Sequence, residues 1–261
     1  MQKQINRNGS QASKIFDNRT LEKDYRTLIP ILKKGMQILD VGCGTGAITK
    51  DIAKVIGENG KIIGIDNTEK FISSGKEHYG HLKNMELIHA DINDFQHTEK
   101  FDLIISARTM QWLSGVDSAL QKMKSLLKAN GQISILDYNH TDIEWEPTPP
   151  ASMLKFYEIF LKWRSDAGMS NQMAKDLPAL LKKNGFNNIE KINSDEHCQK
   201  ADTDFVSNIG IWSKVAGLTQ MVEEGYLTNE LRVQAIEEYN IWIETRAESM
   251  ILKLDEVRAT L

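Results

Sequence analysis

The first half of the chain alternates short apolar stretches, rich in isoleucine, leucine and valine, with longer stretches in which apolar residues recur every three to four positions. The short stretches are typical of buried strands and the longer ones of amphipathic helices. Strand–helix alternation of this kind predicts a parallel sheet with helices on both faces. The predicted strands are residues 36–41, 61–66, 85–91, 101–107 and 131–138. The helix before the last of these is predicted to end at Asn130 and Gly131.

The second half of the chain is mostly helical. Its predicted helices span residues 148–168, 176–186, 202–223 and 228–247. Pro178 is expected in the first turn of its helix, and Thr228 is expected to be the N-cap of the last one. Two more strands are predicted, at 187–197 and 248–257. The sheet is therefore expected to be interrupted by a helical insertion before its last strand.

Length and composition favour one globular domain. A chain of 261 residues is long enough for one large α/β domain and short for two domains of ordinary size. Apolar residues make up 41% of the chain and charged residues 26%, a balance that does not indicate disorder. We therefore treat residues 1–261 as a single domain.

The charge and the cysteine content limit the kinds of binding partner and the cellular compartment to be expected. The 32 basic and 36 acidic residues give a net charge of −4, so the chain lacks the basic excess of nucleic-acid-binding proteins. Cys43 and Cys198 are far apart and lack metal-site spacing, which fits a reducing compartment. No apolar run approaches the about 18 residues of a membrane span. We expect a cytoplasmic protein that binds neither nucleic acid nor membranes.

Three alternate glycines follow the first predicted strand, in the sequence ILDVGCGTG. Gly42, Gly44 and Gly46 fall where an open α/β sheet binds its ligands, between the end of a strand and the start of the next helix. Glycine permits positive φ there and lets a ligand lie against the backbone. A tight turn without a ligand is the alternative, but three glycines exceed what a turn needs.

Two kinds of ligand fit this loop. The sequence GCGTGA satisfies the dinucleotide pattern G-x-G-x-x-G/A, with Ala47 in the last place and Asp66 lying 24 residues (66 − 42) after Gly42. Asp40, two residues before the first glycine, favours a different ligand, because a carboxylate repels a pyrophosphate. A carboxylate suits a ligand with positive charge, and S-adenosylmethionine carries both an ammonium and a sulfonium group.

Several segments together resemble the class I S-adenosylmethionine-dependent methyltransferases, in that family's order. ILDVGCGTG resembles motif I, GKIIGIDNT the second strand with its ribose-binding acid, and IHADINDF the acidic segment beside the adenine. FDLIISARTMQWL and LLKANGQISILD resemble the fourth and fifth strands. The resemblance covers about residues 30–137 and implies a Rossmann-like, doubly wound α/β fold. Its sheet would be seven-stranded and mostly parallel, with an antiparallel last strand and a helical lid or insertion.

The resemblance also implies how the single domain is divided. The expected parts are N-terminal lid helices over 1–30, a core over 31–137, 172–198 and 248–258, and helical cap segments over 145–168 and 199–247. Trp212 lies in the second cap segment. A lid has a physical purpose here, because excluding water helps to align the acceptor and protects the sulfonium.

The first cofactor residues that the resemblance implies come from the glycine loop and the second strand. Gly42 and Gly44 would lie against the methionyl part, with Asp40 placed to receive its ammonium directly or through water. Asp66 would accept both ribose hydroxyls. The alternative for Asp66 is a helix cap, a role that Thr68 could fill instead.

The acidic segment completes the implied cofactor site. Asp91 would accept from the adenine amino group, while Ile92 would supply a backbone amide and an apolar wall. Asp94 is the alternative acid, or else a solvated turn residue. The full predicted set is Asp40, Gly42, Cys43, Gly44, Asp66, Asn67, Asp91, Ile92, Ala107 and Arg108, with Cys43 as a small loop residue and not a nucleophile.

Candidates for the acceptor side follow the fourth and fifth strands. The QWL segment resembles the same place in methyltransferases that act on trans-aconitate and on malonyl carrier protein, a small-molecule branch that we group with the quinone-type enzymes. Those two act on carboxylates, and Arg108 could pair with one, although contact of Arg108 with the cofactor or with solvent is the preferred alternative. Tyr138 and His140 are the candidate catalytic residues, with His140 as a general base; a solvated loop histidine is the alternative.

The predicted helix 148–168 has two faces of different character. Phe156, Phe160 and Trp163 share an apolar face that is expected to pack in the core. Tyr157 and Arg164 share another face that could line a cavity. For Trp112, packing of a helix on the sheet is the preferred alternative to substrate contact. The predicted acceptor contacts are Arg108, Trp112, Tyr138, His140, Trp145, Tyr157 and Arg164.

These features predict a methyltransferase that moves a methyl group from S-adenosylmethionine to an oxygen or nitrogen of a small molecule by in-line displacement, leaving S-adenosylhomocysteine. No paired acidic ligands are evident, so no metal is predicted. The protein is expected to be a monomer or a homodimer. The alternatives are a nicotinamide-dependent oxidoreductase that uses the glycine loop and a non-catalytic protein that only binds the cofactor.

Overall fold

The structure, a computed structural model, describes residues 19–261. Residues 1–18, and with them most of the lid predicted over 1–30, lie outside the described residues. The described chain forms two compact units. The sheet unit comprises residues 19–137, Met173–Ser194 and Asp255–Leu261, and the helical unit comprises Tyr138–Gln172 and Asp195–Leu254.

The sheet unit is built on a seven-stranded sheet in the order β3-β2-β1-β4-β5-β10-β7. The strands of the described chain are β1 Gln37–Val41, β2 Lys61–Asp66, β3 Met85–His89, β4 Phe101–Ala107, β5 Leu127–Tyr138, β6 Glu144–Glu146, β7 Asn187–Asn193, β8 Glu196–Gln199, β9 Ser249–Leu252 and β10 Leu254–Thr260. Strands β1 to β5 pair in parallel, and β10 runs antiparallel to β7. The predicted α/β fold, with a mostly parallel seven-stranded sheet and an antiparallel last strand, is confirmed.

Helices connect these strands. They are α1 Leu21–Asp24, α2 Ala47–Ile56, α3 Glu69–Tyr79, α4 Val116–Leu126, α5 Ala151–Asp166, α6 Met173–Lys183, α7 Phe205–Ile209, α8 Ile211–Ala216, α9 Gln220–Glu223 and α10 Asn229–Thr245. The apolar period decides which face of each helix is buried. On α2, for example, Ile48, Ile52 and Ile56 are four residues apart and are all buried. None of the helices within 19–261 is long and apolar enough to cross a membrane.

One helix ends earlier than the sequence predicts. The stop expected at Asn130 and Gly131 is wrong, because α4 ends at Leu126. Residue Leu127 already belongs to β5 and pairs with Phe101 of β4. Strand pairing therefore takes over from the helix before the glycine is reached.

Another helix begins earlier than predicted. Helix α6 starts at Met173, so Pro178 lies in its interior and not in its first turn. Met173, Ala174 and Leu177 are buried in the core of the sheet unit. Burial of this face compensates for the backbone hydrogen bond that proline cannot make.

The helical unit contains a small sheet that the sequence analysis did not predict. Strands β6, β9 and β8 form it in that order, and both pairings are antiparallel. The single strands predicted over 187–197 and 248–257 are therefore wrong in extent, because each divides between the two sheets. The second break is stabilised by Asp195, whose carboxylate accepts from the N–H of Leu254 at 3.1 Å.

The long helix predicted over 202–223 is three short helices, α7 to α9. Gly210 and Gly217 are the C-caps of the first two, and glycine favours helix ends. The helix from Thr228 is confirmed, and the Thr228 side chain accepts from the N–H of Leu231 as an N-cap should. The core of this unit includes Phe156, Phe160 and Trp163 of α5, as their shared face predicts.

Candidate active site

The glycine loop joins β1 to α2 in a conformation that favours glycine. The φ angle is 77° at Gly42, 58° at Gly44 and 82° at Gly46, all in the left-handed region. The N–H of Gly42 donates to the carbonyl oxygen of Ile65 on β2 at 2.8 Å. A Cβ on Gly42 would lie 2.2 Å from Oγ1 of Thr109, which follows β4. The loop is therefore held between β2 and the residues after β4.

Asp40 lies beneath this loop, in the interior. Its Oδ2 accepts a hydrogen bond from Oγ1 of Thr49 on α2 at 2.6 Å, and the residue is 4% exposed. Burial raises the pKa of Asp40 to about 7; the Thr49 hydrogen bond acts in the opposite direction, and the nearby charge of Asp66 raises the pKa further. Asp40 thus connects β1 to the helix after the loop.

Asp66 ends β2 beside the same loop. Its Oδ2 accepts from the N–H of Gly44 at 3.0 Å, and its Oδ1 accepts from the N–H of Thr68 at 2.9 Å. Thr68 is the N-cap residue of α3 by position, but its side chain makes no capping hydrogen bond. Asp66 therefore fixes both the glycine loop and the start of α3, and the residue as a whole is half-buried.

The acidic segment after β3 is tightly turned. Oδ1 of Asp91 accepts from the backbone N–H of Asn93 at 2.8 Å and from its side-chain amide at 2.9 Å. Ile92 is buried in the core of the sheet unit, whereas Asn67 and Asp94 are exposed. Since β3, β2, β1 and β4 are adjacent in the sheet, their carboxyl ends lie along one edge. The structure thus brings the predicted cofactor residues to a single edge.

Arg108 follows Ala107, the last residue of β4, in an unusual conformation. Its φ is 58°, a value rare for residues other than glycine, and its N–H donates to the carbonyl oxygen of Leu136 at 2.6 Å. The guanidinium is 3% exposed and lies 3.8 Å from a carboxylate oxygen of Asp24. Trp112, four residues later, is half-buried in a short 3-10 helix. A buried positive charge therefore follows directly after β4.

The predicted acceptor residues of the helical unit form an aromatic cluster. The ring of His140 stacks on Tyr138, with centroids 5.1 Å apart and planes at 23°, and meets the edge of Trp212 at 6.1 Å. Trp145 meets Tyr157 edge-on at 5.2 Å, and Tyr157 meets Trp212 in the same way at 4.6 Å. Edge-on contacts of this kind are the favoured packing of aromatic rings.

His140 is nearly buried at the centre of this cluster. Burial lowers its pKa well below the ordinary value, and the positive charge of Arg164 lowers it further. The imidazole is therefore neutral near pH 7. Its backbone is fixed on both sides, because its N–H donates to the carbonyl oxygen of Asn171 at 2.8 Å and its carbonyl oxygen accepts from the Tyr157 hydroxyl at 2.7 Å.

Tyr157 and Arg164 are both engaged inside the helical unit. Burial raises the pKa of the Tyr157 hydroxyl. Arg164 is fully buried, and its Nε donates to Oδ1 of Asn171 at 2.8 Å. Its Nη2 donates to the carbonyl oxygen of Ser170 at 3.1 Å. Contact of these two side chains with an acceptor stays a prediction.

Three side chains at the edge of the sheet were missed by the sequence analysis: Asp24, Thr49 and Thr109. Thr49 gave one signal, because a hydroxyl between Ile48 and Ile52 on a buried helix face needs an internal partner. Asp24 and Thr109 have no comparable signal in the sequence, because the residues that they contact, Arg108 and Gly42, are distant in sequence. Among residues 19–261 no group of three or more histidine, cysteine, aspartate or glutamate residues is placed to hold a metal ion.

Comparison with known proteins places this geometry in a family. A family model described as a methyltransferase domain matches residues 32–204. The chain belongs to this family. Malonyl-[acyl-carrier protein] O-methyltransferase 1 of Ilyobacter polytropus is 31% identical to the methyltransferase over 185 residues, which cover 68% of this chain and 69% of that protein. A demethylmenaquinone methyltransferase of Staphylococcus aureus is 29% identical over 133 residues, 51% of this chain and 52% of that one.

The methyltransferase spans about half the length of the menaquinone relative and more than two thirds of the malonyl relative. A crystal structure described as a SAM-dependent methyltransferase from Aquifex aeolicus has the same fold, with a TM-score of 0.55 and 23% identity. It covers 70% of this chain, and this chain covers 90% of it. The protein is thus an S-adenosylmethionine-dependent methyltransferase, and the comparisons give the oxidoreductase alternative no support.

S-adenosylmethionine is the cofactor of the methyltransferase, and the donor set of the sheet unit fits it. Carboxylates lie at or near the ends of β1, β2 and β3, and the glycine loop offers backbone without side chains. Thr45, in the same loop, has a buried hydroxyl that bonds to no other residue of 19–261. Burial raises the pKa of the Cys43 thiol, so it is not a thiolate nucleophile.

Proposed function

We propose that the methyltransferase transfers the methyl group to an oxygen or nitrogen of a small acceptor, and that a carboxylate oxygen is the foremost candidate. The observation that carries this proposal is the 31% identity over 69% of a protein named for O-methylation of malonyl-[acyl-carrier protein]. A malonyl group bound through one end has a free carboxylate at the other. The buried guanidinium of Arg108 supports the same acceptor chemistry.

For the donor we propose the roles that the resemblance to the S-adenosylmethionine-dependent methyltransferases implies. S-adenosylmethionine supplies a methyl carbon that its sulfonium makes electrophilic. The residues therefore need to bind, orient and dehydrate the reactants more than to activate them. Gly42 and Gly44 would lie against the methionyl part, Asp66 would accept the ribose hydroxyls, and Asp91 would accept from the adenine. The proposed cofactor set also includes Asp40, Cys43, Asn67, Ile92, Ala107 and Arg108.

Asp40 has a more limited role in this proposal. Its Oδ2 is engaged by Thr49 and the residue is almost fully buried, which supports an indirect contact with the ammonium through water. A carboxyl whose pKa is about 7 is partly protonated at neutral pH. Its charge, and hence its attraction for the ammonium, therefore depends on pH.

For the acceptor we propose Arg108 and Trp112 of the sheet unit, and Tyr138, His140, Trp145, Tyr157 and Arg164 of the helical unit. A carboxylate acceptor is already ionised and needs no base. An acceptor that must lose a proton would use His140, with Tyr138 beside it, because a neutral imidazole can accept a proton. The chemistry of the acceptor therefore decides whether His140 acts as a general base or only contributes to the aromatic lining of the proposed acceptor site.

The proposed function is tested with a methyl-tritiated donor and a panel of acceptors: a malonyl thioester, free dicarboxylates, a phenol and an amine. Mild base hydrolyses a methyl ester and releases volatile labelled methanol, whereas N-methyl and aryl methyl products keep the label. We expect volatile label from the malonyl thioester. Label that stays with the amine or the phenol would instead identify a nitrogen or hydroxyl acceptor and contradict the carboxylate.

The same assay tests Arg108. Asparagine tolerates the left-handed conformation, so Arg108→Asn removes the charge with little backbone strain. We expect kcat/KM for a carboxylate acceptor to fall by about 10-fold or more, the scale of a lost charged hydrogen bond. Arg246→Asn is the matched control, because Arg246 is exposed at the end of α10 and should leave kcat/KM unchanged.

We also propose that the methyltransferase works in the cytoplasm as a monomer or homodimer, without nucleic acid or a metal. The proposal is supported by the two free cysteines, one of them buried, and by the net charge of −4. Cell fractionation, size-exclusion chromatography with light scattering, and assays with chelator test these points. Activity lost in chelator and restored by a metal ion would contradict the metal-free mechanism.

A further inference from the structure

The helical unit contains four tryptophans, of which two have a hydrogen-bond partner for the indole N–H and two have none. Nε1 of Trp163, for example, donates to Oε2 of Glu224 at 2.8 Å. Trp212 is 4% exposed and Trp242 2%, and neither indole nitrogen bonds to any group within residues 19–261. A buried donor without an acceptor has lost its hydrogen bond to water and gained nothing in exchange. Each unpaired N–H therefore needs an explanation.

Trp212 lies among the side chains that we propose to contact the acceptor. Its ring is on α8 and meets the rings of His140 at 6.1 Å, Trp145 at 6.4 Å, Tyr157 at 4.6 Å and Phe160 at 5.9 Å, measured between centroids. All four contacts are edge-on. The unpaired N–H of Trp212 thus belongs to the aromatic cluster of the proposed acceptor site.

Trp242 is placed differently. It lies on α10, and its ring stacks on Tyr239 of the same helix with centroids 5.2 Å apart and planes at 16°. Both residues belong to the core of the helical unit. Trp242 is therefore a natural reference for Trp212, because it has the same buried, unpaired N–H in a core setting.

The surroundings of Trp212 are held in place by one hydroxyl group. The Tyr239 hydroxyl accepts from Nε1 of Trp145 at 3.2 Å and donates to the carbonyl oxygen of Ile209 at 3.0 Å. Ile209 is the last residue of α7, directly before the glycine that separates α7 from α8. The same group therefore fixes Trp145 and the start of the helix that carries Trp212. Tyr138 and Trp145 are half-buried, so the cluster extends to the surface.

The charge near this cluster selects the kind of atom that the N–H can bind. Arg164 is fully buried, and its guanidinium carbon lies 5.5 Å from the ring centroid of Phe160. A ligand atom beside an N–H donor and a positive charge should be electronegative and not cationic. Aromatic rings favour a flat, largely apolar group. A carbonyl group is flat and has an oxygen that accepts one hydrogen bond from an N–H.

We infer that Trp212 is a specificity-determining residue whose indole N–H donates to a neutral carbonyl oxygen of the acceptor, such as that of a thioester, an ester or a ketone. In the free enzyme this N–H is unpaired, and the bound acceptor supplies the missing partner. An acceptor without the carbonyl leaves the N–H unpaired and binds less well. The inference rests on the proposed function in placing the acceptor against the helical unit, and it holds whichever atom receives the methyl group.

The inference is tested with Trp212→Phe, which keeps an aromatic ring and removes the N–H. The two probes are the malonyl thioester of N-acetylcysteamine and the thioether in which a methylene replaces its thioester carbonyl, so that both retain the carboxylate. Calorimetry with S-adenosylhomocysteine present measures their affinities without methyl transfer. We expect the variant to bind the thioester about 5-fold more weakly than the wild type, the scale of one neutral hydrogen bond, and the thioether equally well.

Trp242→Phe is the matched control for binding, because it removes an equally buried and unpaired N–H. It should leave the ratio of the two affinities at the wild-type value. An equal loss of affinity for both probes in Trp212→Phe would indicate altered packing and overturn the inference. A wild type that binds the thioester no better than the thioether, or does not bind it, would also overturn it.

Thermal unfolding of the free protein gives a second test, without a ligand. Trp163→Phe removes a paired N–H and Trp212→Phe an unpaired one, while both make the same change in ring size. Trp163→Phe should lower Tm by about 3 °C more than Trp212→Phe, because Glu224 loses its donor. Equal losses would show that the N–H of Trp212 already contributes a hydrogen bond in the free protein and would contradict the inference.

The wild type provides a measurement that does not depend on the folding of a variant. With isotope-labelled tryptophan, the indole N–H resonance of Trp212 should move downfield when the thioester binds and stay in place when the thioether binds, because only the thioester offers the carbonyl. The same resonance position with both probes would contradict the inference.

The outcome is separate from that of the ester assay. Ester formation from the thioester, with no dependence of affinity on the carbonyl, would support the proposed function and reject the role of Trp212. Binding of the thioester that depends on the Trp212 N–H, without ester formation, would support that role and reject a carboxylate oxygen as the methyl acceptor.

Discussion

Oδ2 of Asp40 accepts a hydrogen bond from Oγ1 of Thr49 at 2.6 Å, so a buried carboxyl group joins the first strand to the helix after the glycine loop. The pKa of Asp40 is raised to about 7, chiefly by burial. The folded protein therefore holds a proton that the unfolded chain, with an ordinary pKa of 3.8, has already lost. The contribution of Asp40 to stability is present at low pH and is lost as the pH rises through about 7.

We therefore expect Asp40→Asn to gain stability relative to the wild type as the pH is raised from about 5 to about 8. The relative gain should be about 1.4 kcal/mol per pH unit up to the folded pKa of about 7, or about 3 kcal/mol over this range. Urea unfolding at both pH values measures it. Asp102 supplies the control, because its pKa is lowered through its bonds to Lys128 and Gln37, so Asp102→Asn should show no such gain. The expectation would be contradicted if the difference in unfolding free energy between Asp40→Asn and the wild type stayed constant across this pH range.

Asp66 provides a test of the donor site. Its Oδ2 accepts from Gly44 and its Oδ1 from Thr68, and it remains partly accessible at the end of β2. Asp66→Ala should weaken S-adenosylmethionine binding by about 10-fold or more, because charge-assisted hydrogen bonds are lost. Calorimetry measures the affinity. Asp94→Ala, at an exposed position, should bind within about 2-fold of the wild type if Asp91 is the adenine contact.

The sheet and the glycine loop were predictable because their signals are local. Alternation of strand and helix patterns is contained within short windows, and the loop glycines lie at alternate positions after a strand. Parallel strands then bring Asp66 and the acidic segment around Asp91 to one edge without further information. The resemblance to the methyltransferases added the identity of the ligand, which the loop alone left open.

The features that the sequence did not predict depend on distant partners. The three-stranded sheet joins β6, β8 and β9, whose outermost residues, Glu144 and Leu252, are 108 positions apart (252 − 144), and each strand is only three or four residues long. The pair of Asp24 with Arg108 likewise has no local signature. A strand of three or four residues is too short to show a recognisable alternation of apolar and polar residues, and a single ion pair leaves no pattern in the sequence. Neither can be recognised before the tertiary structure is known.

Gly42 tests the packing of the loop. Alanine there would meet two penalties: a φ of 77° and a Cβ only 2.2 Å from Oγ1 of Thr109. Gly225 is a matched control, because its φ of 76° is nearly the same and nothing lies within 4 Å of an added Cβ. Gly225→Ala should cost about 1 kcal/mol, whereas Gly42→Ala should cost roughly 1–3 kcal/mol more and weaken cofactor binding.

Chemical unfolding and calorimetry of the two glycine variants give the comparison. The double variant Gly42→Ala, Thr109→Gly should recover most of the extra loss, because it removes the Thr109 side chain that the new Cβ would meet. Equal costs for Gly42→Ala and Gly225→Ala would show that the loop adjusts without strain beyond its φ angle.

A substitution of His140 tests whether methyl transfer needs a general base. His140→Ala should lower turnover by about 10-fold or more for an acceptor that must lose a proton, with cofactor affinity within about 2-fold of the wild type. For a carboxylate acceptor the loss should be much smaller, because no proton is removed. Steady-state kinetics on both acceptor types, with donor affinity from calorimetry, separate these cases. Full activity of the variant on a protonated acceptor would exclude the role.

The buried imidazole of His140 also makes folding stability depend on pH in the direction opposite to Asp40. Burial and the charge of Arg164 lower its pKa, so the unfolded chain takes up a proton before the folded protein does. The contribution of His140 is therefore present above its ordinary pKa of 6.5 and is lost as the pH falls through the folded value. The substitution His140→Gln removes this pH-dependent contribution to stability. We expect its stability relative to the wild type to rise between about pH 7 and about pH 5, measured by urea unfolding. His81→Gln, at an exposed position, should show no such rise, and a rise of equal size in both variants would contradict the assignment to His140.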